Sequence, residues 1–430
     1  MSRADHAEPG APATGSDRVV RPGSPFFHSS LPNGVEFAAD VLPQRQTVAL
    51  VFRMLCGLVD EPEELTGVGE IVENALSKGT RQFSGQELAD AFDRLGAQWA
   101  SVSGRQSMLV RVLCLPEFVL AATDLVAEMI CRPTFPDDAC RVAVDLAQQE
   151  LRQLEDEPQD LLRIIIQRLT LGPTLGRHPG GTPESLARLT PEVVRAHWQR
   201  VYHAGRLQVT AAGPVDSDKL AAHVERCFAG LGSSQRQGRG PAQFEFTPAR
   251  EHRHKELEQQ YLALTLPGLP RAHDEFAVEQ VLIGVLSGGM SGRLFTEVRE
   301  KQGLVYWVGA WHEQPRGKGV LHLGASTTPE RSDRTYQTLL RELRRVGEDL
   351  TEAETVRARD GLIAQYETED DLTRAHAAGL GDDLFHFGRP VGREAKLDAL
   401  RAVTLDRVVA YARRLPLDQL CVATLGPRAL

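Results

Sequence analysis

Residues Thr66 to Thr80 read TGVGEIVENALSKGT. Val68, Ile71, Val72, Ala75 and Leu76 recur at helical spacing, and Glu70, Glu73, Asn74 and Ser77 fall on the other face. The pattern predicts an amphipathic helix with Thr66 as its N-cap and Gly79 as its stop. Its polar face carries two carboxylates and a carboxamide within about one turn.

Zinc peptidases of the inverted-motif kind carry H-x-x-E-H on such a helix, where two histidines bind the metal and the Glu between them acts as base. Here the five positions read Glu70-Ile71-Val72-Glu73-Asn74. The base position is kept and both histidines are absent. The frame T-G-V-x-x-x-x-E-x-x-L-x-K-G-T resembles the pitrilysin/insulinase metallopeptidases, in their mitochondrial-processing-peptidase-like branch. Further landmarks follow in family order. They are Glu150 with Glu155-Asp156-Glu157-Pro158, then Gly176-Arg177-His178-Pro179, then Gly181-Thr182-Pro183-Glu184-Ser185-Leu186. After them come Gly288-Gly289-Met290-Ser291-Gly292-Arg293-Leu294-Phe295 and Arg299-Glu300-Lys301-Gln302-Gly303-Leu304-Val305-Tyr306. The resemblance runs from about Phe26 to Pro427.

The resemblance implies Glu150 as the position of a third zinc ligand and Glu73 as a vestigial base position. It implies that Arg299 holds a substrate carbonyl while Tyr306 donates to the developing oxyanion, both from the second half of the chain. Fixed donors aimed at new negative charge are strong catalytic devices. The donor set at Glu70, Asn74 and Glu150 offers only oxygen, whereas zinc prefers Cys and His. The 13 histidines include no pair four residues apart, so no zinc is expected at this site and no cofactor on this chain. A solvated or salt-bridged polar patch is the plain reading of the carboxylates.

Composition sets outer bounds. The chain has 430 residues, 42% hydrophobic and 25% charged, with a net charge of −9, which argues against nucleic-acid binding. No apolar run is long enough to span a membrane. The six cysteines are scattered without C-x-x-C and read as buried reduced thiols, consistent with a cytoplasmic protein. Residues 1–24 read as a disordered tail rather than a signal peptide.

An internal repeat divides the chain. Leu186 to His197 resembles Leu400 to Tyr411, and the strand beginning at Leu207 resembles the one beginning at Leu420. Residues 25–231 and 256–430 read as two homologous domains joined by a linker over 232–255, within which His252 and His254 read as solvated. Each half mixes strands and helices. The expected class is α+β, two antiparallel sheets with helices mainly on one face, like half of a clam shell. Gly96 to Ser103 reads as a turn into an edge strand, which could pair with an extended peptide.

Three functions fit this pattern. The first is a non-catalytic subunit that lends Arg299 and Tyr306 to a homologous H-x-x-E-H partner holding the zinc, as a heterodimer or through self-association, with a peptide substrate. The second is a structural or peptide-binding scaffold. The third is an autonomous metallopeptidase with an atypical metal.

Overall fold

A computed structural model describes residues 26–232 and 238–430. The expected tail and residues 233–237, near the start of the expected linker, lie outside the described residues. Eleven strands are described: β1 (Phe26–Ser30), β2 (Glu36–Val41), β3 (Val48–Met54), β4 (Gln98–Val102), β5 (Met108–Cys114), β6 (Leu207–Gly213), β7 (Arg250–His254), β8 (Gln260–Gly268), β9 (Val305–Glu313), β10 (Gly319–Thr327) and β11 (Cys421–Gly426). They form two sheets, in the orders β1-β2-β6-β3-β5-β4 and β7-β11-β8-β10-β9. Dropping β1 leaves the same order in both, which is the internal repeat seen in three dimensions. The α+β class is as expected. One pair in each sheet is parallel, β2 with β6 and β7 with β11, and the rest are antiparallel.

β7 falls inside the stretch read as linker. Its residues alternate Arg-Glu-His-Arg-His, and nothing apolar marks them as a strand. They are held by pairing with β11, and His252 hydrogen-bonds Thr424 Oγ1 at 2.8 Å. Among the helices of the first half are α1 (Val68–Leu76), α2 (Gly85–Arg94), α3 (Val119–Cys131), α4 (Asp137–Leu154) and α5 (Pro158–Thr170). Ser84 and Glu87 make a capping box at α2. Pro158 follows the end of α4 and opens α5. Proline at a first helical position costs no hydrogen bond.

One face of the first sheet packs on its own helices around Phe37, Phe52, Ile71, Leu76 and Phe92. Its other face is covered from the second half. Ala377, Leu380 and Leu384 of the helix Thr373–Phe387 lie against Ala38, Ala49, Val51 and Ala212. The reciprocal exchange also occurs, with Leu161, Leu162, Ile165 and Ile166 of α5 packing on Ala263, Cys421, Ala423 and Leu425. Strand β3 is therefore buried along its whole length, as sheets covered on both faces require. Gly381 allows the close approach, since a Cβ there would lie 3.3 Å from Thr210 Oγ1.

Candidate active site

α1 begins one residue later than expected. Its N-cap is Gly67, at φ 100, where a side chain would be strained and would crowd Leu186 and Gly181. The free N–H groups of the first turn are satisfied by Glu61, whose carboxylate accepts from Gly67 N at 2.7 Å and Gly69 N at 3.1 Å. Thr66 is buried, and its hydroxyl donates to Glu63 O at 2.7 Å.

Arg177 clamps the approach to α1. It donates to Leu58 O at 2.8 Å, Glu61 O at 3.0 Å and Thr66 Oγ1 at 2.9 Å, and Ser185 Oγ donates to Thr66 O at 2.7 Å. The G-R-H-P and G-T-P-E-S-L landmarks are thus explained as supports for the start of α1. Sequence reading missed Glu61 and the role of Arg177. An acidic residue just ahead of a helix start was the available signal for Glu61.

Glu70 projects into a cleft of about 470 Å³ between α1, α4, α5 and the loop at His178–Gly180, where Glu150 also lies. The two carboxyl groups hydrogen-bond each other. Burial, then Glu150 and Glu73, push Glu70 up to about 7. Glu73 points elsewhere and accepts a hydrogen bond from Ser101 Oγ of β4, and burial raises its pKa despite that bond. Asn74 turns back on its own helix, donating to Glu70 O at 3.1 Å. Of the three degenerate ligand positions and the kept base position, only Glu70 and Glu150 therefore meet. His178 lines the same cleft, its Nδ1 finding no hydrogen-bond partner among the described residues, and burial lowers its pKa.

This donor set does not fit zinc. It offers two carboxylates sharing a hydrogen bond, a carboxamide engaged with the backbone and a third carboxylate facing a hydroxyl. Their oxygens do not belong to any group of three or more metal-donor atoms gathered within 4.8 Å among the described residues.

A stability consequence follows for pH. A carboxyl raised to about 7 binds its proton more tightly folded than unfolded, so its contribution weakens stability as pH rises from about 4.5 through 7. Glu70→Gln should stabilise the chain above pH 7 by about 1–2 kcal/mol and change little near pH 4. That magnitude takes about 1.4 kcal/mol per tenfold change in proton affinity, discounted for solvent screening. Denaturant melts at the two pH values check this, and an equal effect at both would contradict it.

Arg299 and Tyr306 lie in the second half. Arg299 belongs to a π-helical segment, Leu294–Glu300, and its guanidinium sits over the Phe295 ring at 4.9 Å. Tyr306 is 76% exposed near the start of β9, the edge of its sheet, and its hydroxyl makes no hydrogen bond among the described residues. The far end of β9 reaches the cleft wall. There Glu313 accepts from Gln167 Nε2 at 2.9 Å, and Arg105 Nε lies 3.7 Å from its carboxylate. Tyr306 is seven residues along β9 from Glu313, roughly 23 Å at the rise of a strand. The pair thus faces solvent rather than the carboxylate cleft of its own chain. β4, the expected edge strand, does lie at the edge of its sheet, and Trp99 stacks on Phe92.

Two family models match in sequence along the chain, Insulinase (Peptidase family M16) over residues 37–178 and Peptidase M16 inactive domain over residues 188–362. The chain belongs to the M16 peptidase family. It is 29% identical to the uncharacterized zinc protease YmxG of Bacillus subtilis, over 92% of this chain and 97% of that one. An uncharacterized zinc protease of Rickettsia felis is 26% identical over 94% and 98%. Among solved structures, an M16 inactive domain from Pseudomonas fluorescens superposes with a TM-score of 0.84 at 19% identity, covering 94% of this chain and 98% of that one. A Helicobacter pylori protease gives 0.85 at 17%, covering 94% and 99%. These structures share the fold of this M16 chain. No helix among the described residues is long and apolar enough to cross a membrane. Of the cysteines, five are buried and Cys227 is half-buried, all as free thiols.

Proposed function

We propose that this M16 chain is the non-catalytic subunit of a two-subunit zinc peptidase, without a catalytic zinc of its own. It lends Arg299 and Tyr306 to a homologous partner whose α1 equivalent carries H-x-x-E-H and holds the zinc. The observation that carries this reading is the contrast between the two halves. The first-half donors are satisfied among themselves, Glu70 by Glu150, Glu73 by Ser101 and Asn74 by its own helix. The second-half pair is exposed, with the Tyr306 hydroxyl unspent.

Arg299 supplies five N–H donors to peptide carbonyl oxygens and keeps its charge at any working pH. Tyr306 supplies one donor to the oxygen that becomes negative as the scissile carbonyl turns tetrahedral. The proton transfers and the metal-bound nucleophile belong to the partner. The scaffold reading predicts the same fold and differs only in whether the pair matters for turnover.

The test is co-purification of the full chain with an H-x-x-E-H homologue, followed by peptidase assay of each chain alone and of the mixture. Activity only in the mixture is the expected result. Full activity of the partner alone, unchanged on adding this chain, rejects the reading.

A further inference from the structure

Away from the cleft, α3 packs against the helix Ser217–Cys227. His223 and Cys227 stand one turn apart on that helix and so share a face. Asp124 of α3 points at both. Its Oδ1 lies 2.9 Å from His223 Nε2 and 3.0 Å from Cys227 Sγ. The three donor atoms all fall within 4.8 Å of one another, and this is the group of metal-donor residues so gathered among the described residues.

We propose that Asp124, His223 and Cys227 form a binding site for a divalent ion of the zinc class, with water as the fourth ligand. Tetrahedral zinc holds sulfur and nitrogen ligands at about 2.3 and 2.0–2.1 Å, which places neighbouring donors roughly 3.3–3.7 Å apart. The Asp124–His223 and Asp124–Cys227 spacings of 2.9 and 3.0 Å need only a small opening to reach this. Thiolate plus imidazole selects zinc or cobalt over magnesium and calcium. One thiolate and one carboxylate also neutralise the ion's charge. Asp124 is 56% exposed, so the ion can reach the site from solvent.

A reactive thiol is the competing chemistry, and the surroundings oppose it. Burial, then Asp124, push the Cys227 thiol up to about 12, so without a metal it stays protonated. A coordinating metal would instead deprotonate it. The site departs from the sequence expectation that this chain binds no metal, and it is independent of the subunit role proposed above. It would tie α3 to the last long helix before the connection between the halves.

One neighbour gives the proposal a distinctive signature. Arg226 donates to His223 Nδ1 at 3.2 Å. That bond fixes the ring proton on Nε2, the nitrogen that the metal would need. Arg226→Ala frees Nδ1 to take the proton and should tighten binding.

The experiment titrates cobalt(II) into the metal-free full chain and reads the thiolate-to-cobalt charge-transfer absorption. The expected result is one equivalent with a clear band. Cys227→Ser should abolish the band, and the serine can still donate to Asp124, so the fold is kept. His223→Gln should weaken binding at least about tenfold, since even outer partners of metal ligands cost 10–100-fold. Cys131→Ser and the Glu70→Gln/Glu150→Gln double variant should bind as wild type. Absence of a band, its survival in Cys227→Ser, its loss in the double variant, or weaker binding in Arg226→Ala overturns the assignment. The three residues are then only a hydrogen-bonded triad.

Discussion

Tyr306→Phe in the reconstituted pair should lower turnover about 10²–10³-fold, the usual cost of removing one oxyanion donor. The loss should fall on kcat and kcat/KM together, because the hydrogen bond strengthens only as the carbonyl oxygen becomes negative. Folding and association should not change. Tyr306 is 76% exposed and its hydroxyl has no partner among the described residues, so removing one oxygen leaves no buried group among them unsatisfied. Arg299→Ala should differ. A guanidinium that holds peptide carbonyls acts in the ground state as well, so KM should rise as kcat falls. Arg299→Lys should recover little, since an ammonium lacks the planar fork. The measurement is steady-state peptidase kinetics with complex formation followed by gel filtration. If both variant complexes assemble and run at the wild-type rate, the subunit reading gives way to the scaffold reading.

The fold was legible where side-chain period carries the information. β5 reads Met-Leu-Val-Arg-Val-Leu-Cys and alternates between buried and less buried positions, and α1 shows a clean apolar stripe. The repeat exposed the two-sheet plan, because β6 and β11 are the same element in two halves. β7 was not legible. It is a polar edge strand that exists through pairing with β11, a contact about 170 residues away, and has no period-2 apolar signal of its own. α5 was not assigned either. Its face of Leu161, Leu162, Ile165 and Ile166 requires burial but does not say against which sheet.

The candidate site was legible as a set of letters but not as a set of contacts. The spacing of Glu70, Glu73 and Asn74 places them on one helical face, as α1 has them. Spacing cannot show that Glu70 turns to Glu150, Glu73 to Ser101 and Asn74 back to the Glu70 carbonyl. Those choices depend on partners brought in from α4 and β4. Asp124, His223 and Cys227 escaped notice for the same reason, since about 100 residues separate the aspartate from the other two.

The exchange of helices between the halves sets the other large expectation. Arg53 is the penultimate residue of β3, with its side chain 8% exposed. Its charge is answered from the second half, where Asp382 Oδ1 accepts at 2.6 Å and the Phe385 ring lies under the guanidinium at 4.7 Å. Burial lowers its pKa, and Asp382 is the main opposing influence. Asp382→Ala would leave that cation buried, with Arg271 nearby as a like charge. Removing one partner of a buried pair costs about 3–5 kcal/mol. The lower end applies here because Asp382 is itself 36% exposed. A loss of about 3 kcal/mol is a large part of the 5–15 kcal/mol that holds most domains together. Arg53→Met should cost less, because an apolar chain of similar length removes the charge together with its need for a partner. The double variant Arg53→Met/Asp382→Ala should lie near the Arg53→Met single, not at the sum of the two. Urea unfolding followed by tryptophan fluorescence measures all three. If Asp382→Ala alone is as stable as wild type, the helix Thr373–Phe387 is held on the first sheet by apolar packing and not by this ion pair.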